Sequence, residues 1–448
     1  MKIKKFVAEK VYGYLDFNIE FNDDVNFLVG GNGSGKTTAL KLMNALIKLN
    51  LKDLMLIPFN SCVVTISDIG GEKNIDISVK SSKEDLIFSI GTVEETLKVP
   101  IYRIDEMEYS RKNEEKLDEF IEMFLHKNSD NEVYKAIKSL DSPIFLGLDR
   151  RSNLDNNDEI LQQRFITGYG IVQSRRNIRN AFFKGSIGAS LTEIAFLVQN
   201  EYRIIRRRDD RQALTLRNKI LSSIFSYNNL EIEQKGLVPD VEYFKEKQNL
   251  IERKKEIQDT ISKLVGDESQ VAKQLDEFFY KITQLLQSGE STENFNVIEW
   301  LLNKSQIDRI TDIVEIIDKH KSQVDTYYKP INDFLALIND FYKESNKTLS
   351  IDTVGEMIIK RPNGVECSIE GLSSGERQLL VIFSHTFFNR KNRENIFIID
   401  EPELSLHISW QEKFSDTIFK IDNKAQFILA THSPEIISDR TDKAVGCR

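Results

Sequence analysis

The sequence predicts an α/β protein, and three observations carry that prediction. Val25-Asn26-Phe27-Leu28-Val29 is a short apolar run of buried-strand type; the glycine-rich stretch Gly30–Gly35 follows it, and Ala39-Leu40-Lys41-Leu42-Met43 then opens a helical pattern. Short β-type runs fill both ends of the 448-residue chain. The middle, from about Glu106 to Asn346, is polar, rich in Lys and Glu, and helical in pattern. The expected organisation is a β-rich first lobe over 1–105, a mainly helical insertion over 106–346, and a second lobe over 347–448. A chain of this length can bury a sizeable core in two or three domains.

Each element has its own warrant. Ile3 to Val7 reads as a strand, and Leu15 to Phe21 alternates strictly between apolar and polar residues, the mark of a strand with one buried face. Beyond the first helix, β-rich runs at Cys62 to Ile66, Ile75 to Val79, Asp85 to Ile90 and Leu97 to Tyr102 are punctuated by Gly70-Gly71, Ser81-Ser82 and Gly91-Thr92, which predicts an antiparallel meander. Within the insertion, Pro143 to Leu148 is strand-like. Leu250, Ile257, Leu264, Val271, Phe278 and Leu285 then recur every seven residues, with Ile261, Leu275 and Ile282 between them. Lys254 and Glu268 interrupt this seam, so two readings stand: a short helical arm over about 240–290, one arm of an antiparallel helical hairpin or a coiled-coil partner, or an ordinary amphipathic helix packed on its domain. β character returns at Thr348 to Ile351 and Glu356 to Lys360, an apolar helix runs from Leu379 to Phe388, and Ile396 to Ile399 and Phe427 to Ala430 read as buried strands.

Composition removes several classes. A net charge of -9 gives no global basic field, so any nucleic-acid contact must be local. The local candidate is Arg175, Arg176, Arg179 and Lys184 with Arg203, Arg206, Arg207, Arg208, Arg211 and Arg217, either a DNA or RNA patch or a solvated face that includes Asp209 and Asp210. Three dispersed cysteines, Cys62, Cys367 and Cys447, argue for reducing surroundings and against structural zinc. No run of about 18 apolar residues and no cleavable leader pattern is present, so the expectation is a cytoplasmic protein with no membrane contact.

The chemistry lies in four short stretches. Gly30 to Thr37 is G-x-x-x-x-G-K-T in the strand–loop–helix setting that motif needs, so a nucleotide is the expected ligand. Backbone N–H groups of Gly30, Asn32, Gly33, Ser34 and Gly35 would cradle phosphate, Lys36 would neutralise it, Thr37 would hold Mg²⁺, and Thr38 would complete the helix N-terminus. Ser373-Ser374-Gly375-Glu376 is a second turn opening a helix, again a phosphate-binding arrangement. Asp400 and Glu401 end a core strand, where carboxylates are costly unless they serve a metal or a water. His432 ends another strand in Thr431-His432-Ser433-Pro434. Tyr12 and Tyr14, upstream of the loop, could stack on adenine or pack in the core.

In order and spacing these stretches resemble the ABC ATPase family: Gly30–Thr37 its Walker A loop, Leu372–Glu376 its signature, Ile396–Glu401 its Walker B strand, Glu403-Leu404-Ser405-Leu406-His407 its D-loop, and His432 its switch histidine. EPELSLH and THSPEII look like the OLD, RecF and SMC-like soluble branch, and most like OLD-type ATPases of phage-defence systems. Ser374 stands where the family usually has glycine and Glu376 where it often has glutamine; the Q-loop, near Phe59-Asn60 or Glu106, is left unassigned.

The resemblance implies an ABC ATPase head, a mixed sheet with a P-loop core and an antiparallel β subdomain. It implies a homodimer, or a higher homo-oligomer, in which two ATP molecules are sandwiched head to tail. Lys36 and Thr37 would hold phosphate and Mg²⁺, Asp400 the metal through water, Glu401 the attacking water, and His432 the γ-phosphate; Ser373, Ser374, Gly375 and Glu376 would approach from the other protomer. By the same resemblance the chain would be the regulatory or scaffold ATPase of a Septu-, PARIS- or OLD-like system that controls a separate HNH or TOPRIM nuclease or toxin; the alternative is a RecF- or SMC-like ATPase of DNA repair or chromosome maintenance. A TOPRIM domain needs roughly 100 residues and an acidic metal cluster. Only Glu435 to Arg448 follow the switch motif, and the insertion carries no H-x-E, HNH-like or C-x-x-C grouping, so no nuclease activity is expected from the chain itself.

Overall fold

The computed structural model describes residues 1–67, 73–102, 111–147, 186–224, 250–265, 268–289, 297–389, 396–421 and 424–447. Its strands are β1 (Lys2–Val11), β2 (Leu15–Glu20), β3 (Val25–Val29), β4 (Ser61–Ser67), β5 (Asn74–Ser81), β6 (Asp85–Ile90), β7 (Leu97–Pro100), β8 (Ile144–Leu146), β9 (Thr348–Ile351), β10 (Met357–Lys360), β11 (Glu366–Ser368), β12 (Ile396–Asp400), β13 (Gln426–Ala430) and β14 (Ala444–Gly446). The helices used below are α1 (Lys36–Lys48), α2 (Leu51–Leu56), α3 (Arg111–Lys127), α4 (Glu132–Lys138), α5 (Ser186–Ile224), α6 (Lys254–Val265), α7 (Glu268–Gly289), α8 (Val297–Tyr342), α9 (Ser374–Phe388), α10 (Ile408–Ile421) and α11 (Pro434–Ile437).

The chain forms two compact units, Met1–Glu201 with Phe334–Arg448, and Tyr202–Asp333. In the first, an antiparallel sheet runs β2-β1-β4-β5-β6-β7, and β2 buries every second residue, as its alternation requires. A five-stranded parallel sheet runs β14-β3-β13-β12-β8. Its central strands, β12 and β13, are buried along their whole length, which is why they read as unbroken apolar runs. Helix α1 packs against β4 and β5 of one sheet and β12 and β13 of the other, and Leu42, Met43 and Leu46 share one core with Phe6, Val64, Ile398 and Ile428.

Gln426, fully buried at the start of β13, joins the two sheets. It accepts from the Ile3 N–H at 2.7 Å and donates to the carbonyls of Ile3 (2.7 Å) and Asn22 (2.8 Å). Gln426→Ala removes the side-chain partner of the buried Ile3 N–H and carbonyl, whereas the Asn22 carbonyl keeps the Asn26 amide at 2.9 Å, and we expect a loss of roughly 1–3 kcal/mol in chemical denaturation. A midpoint unchanged from the parent would show that the link contributes nothing.

The insertion expected over 106–346 is smaller than the composition implied. Val133 and Ile137 of α4 belong to the first unit's core, and β8 pairs in parallel with β12 at Ile144, Phe145 and Leu146. The strand-like run assigned to the insertion is thus the edge of the parallel sheet. In the Tyr202–Asp333 unit the heptad pattern is not one continuous rod. Gln258 of α6 donates to Asp276 of α7 at 2.9 Å, which brings residues 18 positions apart side by side, so α6 and α7 fold back as a hairpin. Ile257, Phe279 and Ile282 of that hairpin pack with Ile307 and Val314 of α8, so the seam faces a third helix. Arg253 is locked between Glu256 (3.0 Å) and Asp318, and these carboxylates hold its guanidinium well above its ordinary pKa.

Candidate functional site

In the parallel sheet β3, β13 and β12 are neighbours, so the loops leaving their C-terminal ends lie side by side, where α/β sheets present ligands. The backbone stitches these ends together: the Thr431 N–H reaches the Leu28 carbonyl at 3.3 Å, and the Glu401 N–H reaches the Ala430 carbonyl at 2.8 Å. Gly30–Thr37, Asp400 with Glu401, and His432 therefore lie together at the C-terminal ends of these strands.

The loop after β3 has a shape that requires glycine at Gly35. A Cβ there, where φ is +89°, would lie 2.8 Å from the Phe17 ring; one on Gly30 would lie 2.6 Å from the Ser34 hydroxyl, which would have to turn aside. Gly31, Asn32 and Gly33 are exposed, whereas Lys36 is buried at the first turn of α1. Its ammonium donates to the carbonyls of Gly30 (2.8 Å) and Gly31 (3.4 Å) and lies 2.7 Å from His432 Nε2. Three acceptors match the three protons of an ammonium.

Asp400, the last residue of β12, is 1% exposed, and Glu401 follows in the left-handed region at φ +48°. The loop then makes tight turns, with N–H bonds from Leu404 to the Glu401 carbonyl and from Leu406 to the Glu403 carbonyl. These turns aim Glu403 back at the end of β13, where Oε1 accepts from the His432 N–H at 2.6 Å and Oε2 from the Thr431 hydroxyl at 2.9 Å. Sequence reasoning assigned Glu403 only to the D-loop; its contact with the switch residues is a tertiary feature.

At the signature, Ser373 caps α9, and Glu376 completes a capping box, its carboxylate accepting from the Ser373 N–H at 2.7 Å. Glu376 is 2% exposed and also takes Lys347 Nζ at 2.7 Å. Burial pushes its carboxyl up, but the bonds from Lys347 and from the Ser373 N–H outweigh that and hold it below the usual range. Its side chain is therefore turned inward to cap the helix, not outward to a ligand as the sequence reading had it. The Ser373-x-x-Glu376 spacing is the pattern that could have shown this. Ser373 and Ser374 are exposed. Gly375 is required by packing: a Cβ there would meet the Ser405 carbonyl at 2.5 Å. Gln378 donates to the Pro402 carbonyl at 2.8 Å, so the signature helix rests on the loop that carries Glu403.

Residues 1–437 match the AAA_15 family, described as an AAA ATPase domain. The chain belongs to the AAA_15 family. Among curated proteins this AAA_15 chain is 30% identical over 167 residues to the retron Vc95 probable ATPase of Vibrio cholerae serotype O1 biovar El Tor, a match covering 33% of this chain and 32% of that protein. It is 28% identical over 143 residues to the endonuclease GajA of Bacillus cereus (strain VD045), covering 27% and 25%. It is 26% identical over 155 residues to the Septu protein PtuA of Bacillus thuringiensis, covering 32% and 37%. The matches thus span only about a quarter to just over a third of these relatives' lengths. An SMC head domain of Pyrococcus furiosus superposes over 100% of this chain and 94% of its own at 12% identity, with a TM-score of 0.43; the fold assignment rests instead on sheet order and family.

The residues of the AAA_15 site suit ATP with Mg²⁺. The glycine-rich loop leads straight into the N-terminus of α1, an end that favours phosphate, and a threonine hydroxyl with a carboxylate (Thr37 and Asp400) is the hard-oxygen donor set magnesium takes. Tyr12 and Tyr14 are 48% and 68% exposed, so neither is a core residue. Their hairpin continues into Leu15 and Phe17, which touch the Gly35 position. Glu106, Arg175, Arg176, Arg179 and Lys184 lie outside the described residues. Arg206, Arg207, Arg208, Arg211 and Arg217 are exposed along α5, and Arg206 pairs with Asp210 at 3.6 Å. Among the described residues no helix is long and apolar enough to cross a membrane.

Proposed function

We propose that the chain binds ATP with Mg²⁺ and hydrolyses it, and that it acts as the nucleotide-gated regulatory or scaffold subunit of a phage-defence complex whose nuclease or toxin is a separate protein. The observation that carries the ATPase reading is the meeting of Lys36 with His432, 2.7 Å apart, beside Asp400 and Glu401 at the C-terminal ends of β12 and β13. Hydrolysis joins water to the γ-phosphorus and breaks its bond to the β,γ-bridging oxygen, giving ADP and phosphate. Mg²⁺, which Thr37 and Asp400 would hold, would supply charge neutralisation to the phosphates. Lys36 binds the phosphate oxygens, Glu401 orients the attacking water and takes its proton, and His432 contacts the transferred group.

Exposed Ser373 and Ser374 support a head-to-tail homodimer in which each signature faces the other protomer's phosphates. The defence reading rests on the EPELSLH and THSPEII resemblance and on relatives named for a retron and for Septu. The test is the purified chain with ATP, Mg²⁺ and DNA or RNA: phosphate release without strand cleavage, and cleavage only when a partner is added. Metal-dependent cutting by the chain alone would overturn the division of labour.

The arginine face of α5 is the candidate nucleic-acid contact. Arg207→Glu, Arg208→Glu and Arg211→Glu together should weaken DNA or RNA binding by at least about tenfold and flatten its salt dependence, because each phosphate contact adds about 0.9 to the log–log slope. Unchanged affinity and slope would make it a solvated face.

A further inference from the structure

We propose that Glu403 is a positioning residue for ATP turnover, holding the switch histidine at the phosphate-loop lysine; this rests on the ATPase reading above. One carboxylate takes both donors at the end of β13, the His432 N–H at 2.6 Å and the Thr431 hydroxyl at 2.9 Å. Thr431 is 1% exposed and itself accepts from the Ser433 N–H at 3.0 Å, so this end of the strand is fixed from two sides. Held there, His432 places Nε2 2.7 Å from Lys36 Nζ. Hydrogen bonds to a carboxylate are shorter and stronger than neutral ones, so Glu403 sets the backbone from which the imidazole projects.

The other end of the chain of contacts is the signature helix. Glu403 sits between Pro402, whose carbonyl takes Gln378, and the Ser405 carbonyl, which excludes any side chain at position 375. The loop that seats α9 therefore also holds the switch histidine. Glu403 touches no reacting atom; it acts through His432.

The test is a double-substitution cycle with binding measured apart from turnover. Glu403→Leu keeps the volume and removes both acceptors; kcat should fall about 10- to 100-fold, as when outer-shell partners of an active site are lost, while the Kd for a non-hydrolysable ATP analogue moves less than about threefold. Glu403→Gln should retain more of the rate, because its amide oxygen still accepts from the His432 N–H and the Thr431 hydroxyl can turn to accept from the amide nitrogen. In a His432→Ala background Glu403→Leu should cost nothing further. Wild-type kcat in Glu403→Leu, or a double variant that loses both factors, overturns the proposal. If Glu403→Leu does not fold, Glu403→Gln and Thr431→Val carry the same cycle. A wild-type chain that neither binds nor hydrolyses ATP removes the ATPase reading and this inference together, whereas normal turnover with additive losses removes this inference alone.

Discussion

Lys36→Ala abolishes nucleotide binding and turnover, with kcat/KM expected to fall by at least about 10³-fold. The ammonium is 6% exposed and fixed by the carbonyls of Gly30 and Gly31 and by His432, so its charge is already placed at the mouth of the loop. Alanine removes that charge and leaves two carbonyl dipoles pointing at a polyanion. Phosphate release and binding of a fluorescent ATP analogue report the two losses separately, and the thermal midpoint monitors the fold. Wild-type turnover would sink the site assignment.

Glu401→Gln should part binding from chemistry. Glutamine has the same size and can adopt the same left-handed backbone at φ +48°, held by the N–H bond to Ala430 at 2.8 Å. What disappears is the base. We expect hydrolysis to slow by about 10²- to 10⁴-fold while ATP remains bound, and a nucleotide-dependent dimer to accumulate in size-exclusion chromatography with light scattering. A variant that binds ATP and stays monomeric would count against the head-to-tail sandwich.

The legible parts of this fold were those written locally. Val25 to Val29 and Ile396 to Ile399 read as strands because both their faces are buried, and Gly35 sits where a side chain would collide. The illegible parts depend on partners distant in sequence. Pro143 to Leu148 is strand-like in the sequence, but nothing local says that its strand, β8, joins the parallel sheet; that follows only from its pairing with β12. The heptad from Leu250 to Leu285 specifies a seam but not whether the chain continues or doubles back; the 2.9 Å bond from Gln258 to Asp276 shows that it doubles back. Glu376 was read from its place in a signature, while its S-x-x-E spacing to Ser373 described what it does locally. Glu403 was invisible because its partners, Thr431 and His432, lie 28 and 29 residues on, across a helix and a strand.

β14 has a consequence for how the protein is made. It lies alongside β3, with the Cys447 N–H on the Val29 carbonyl at 3.0 Å and the Cys447 thiol against the Ser34 carbonyl across 413 residues. β12 and β13 are supplied equally late. During synthesis the glycine loop emerges first and must wait for its neighbours, and pairings over such separations close slowly because the loop entropy must be overcome before the contacts form. A nascent chain therefore holds a complete phosphate motif long before the strands that flank it exist, and no nucleotide can help to fold that pocket until translation has passed β13.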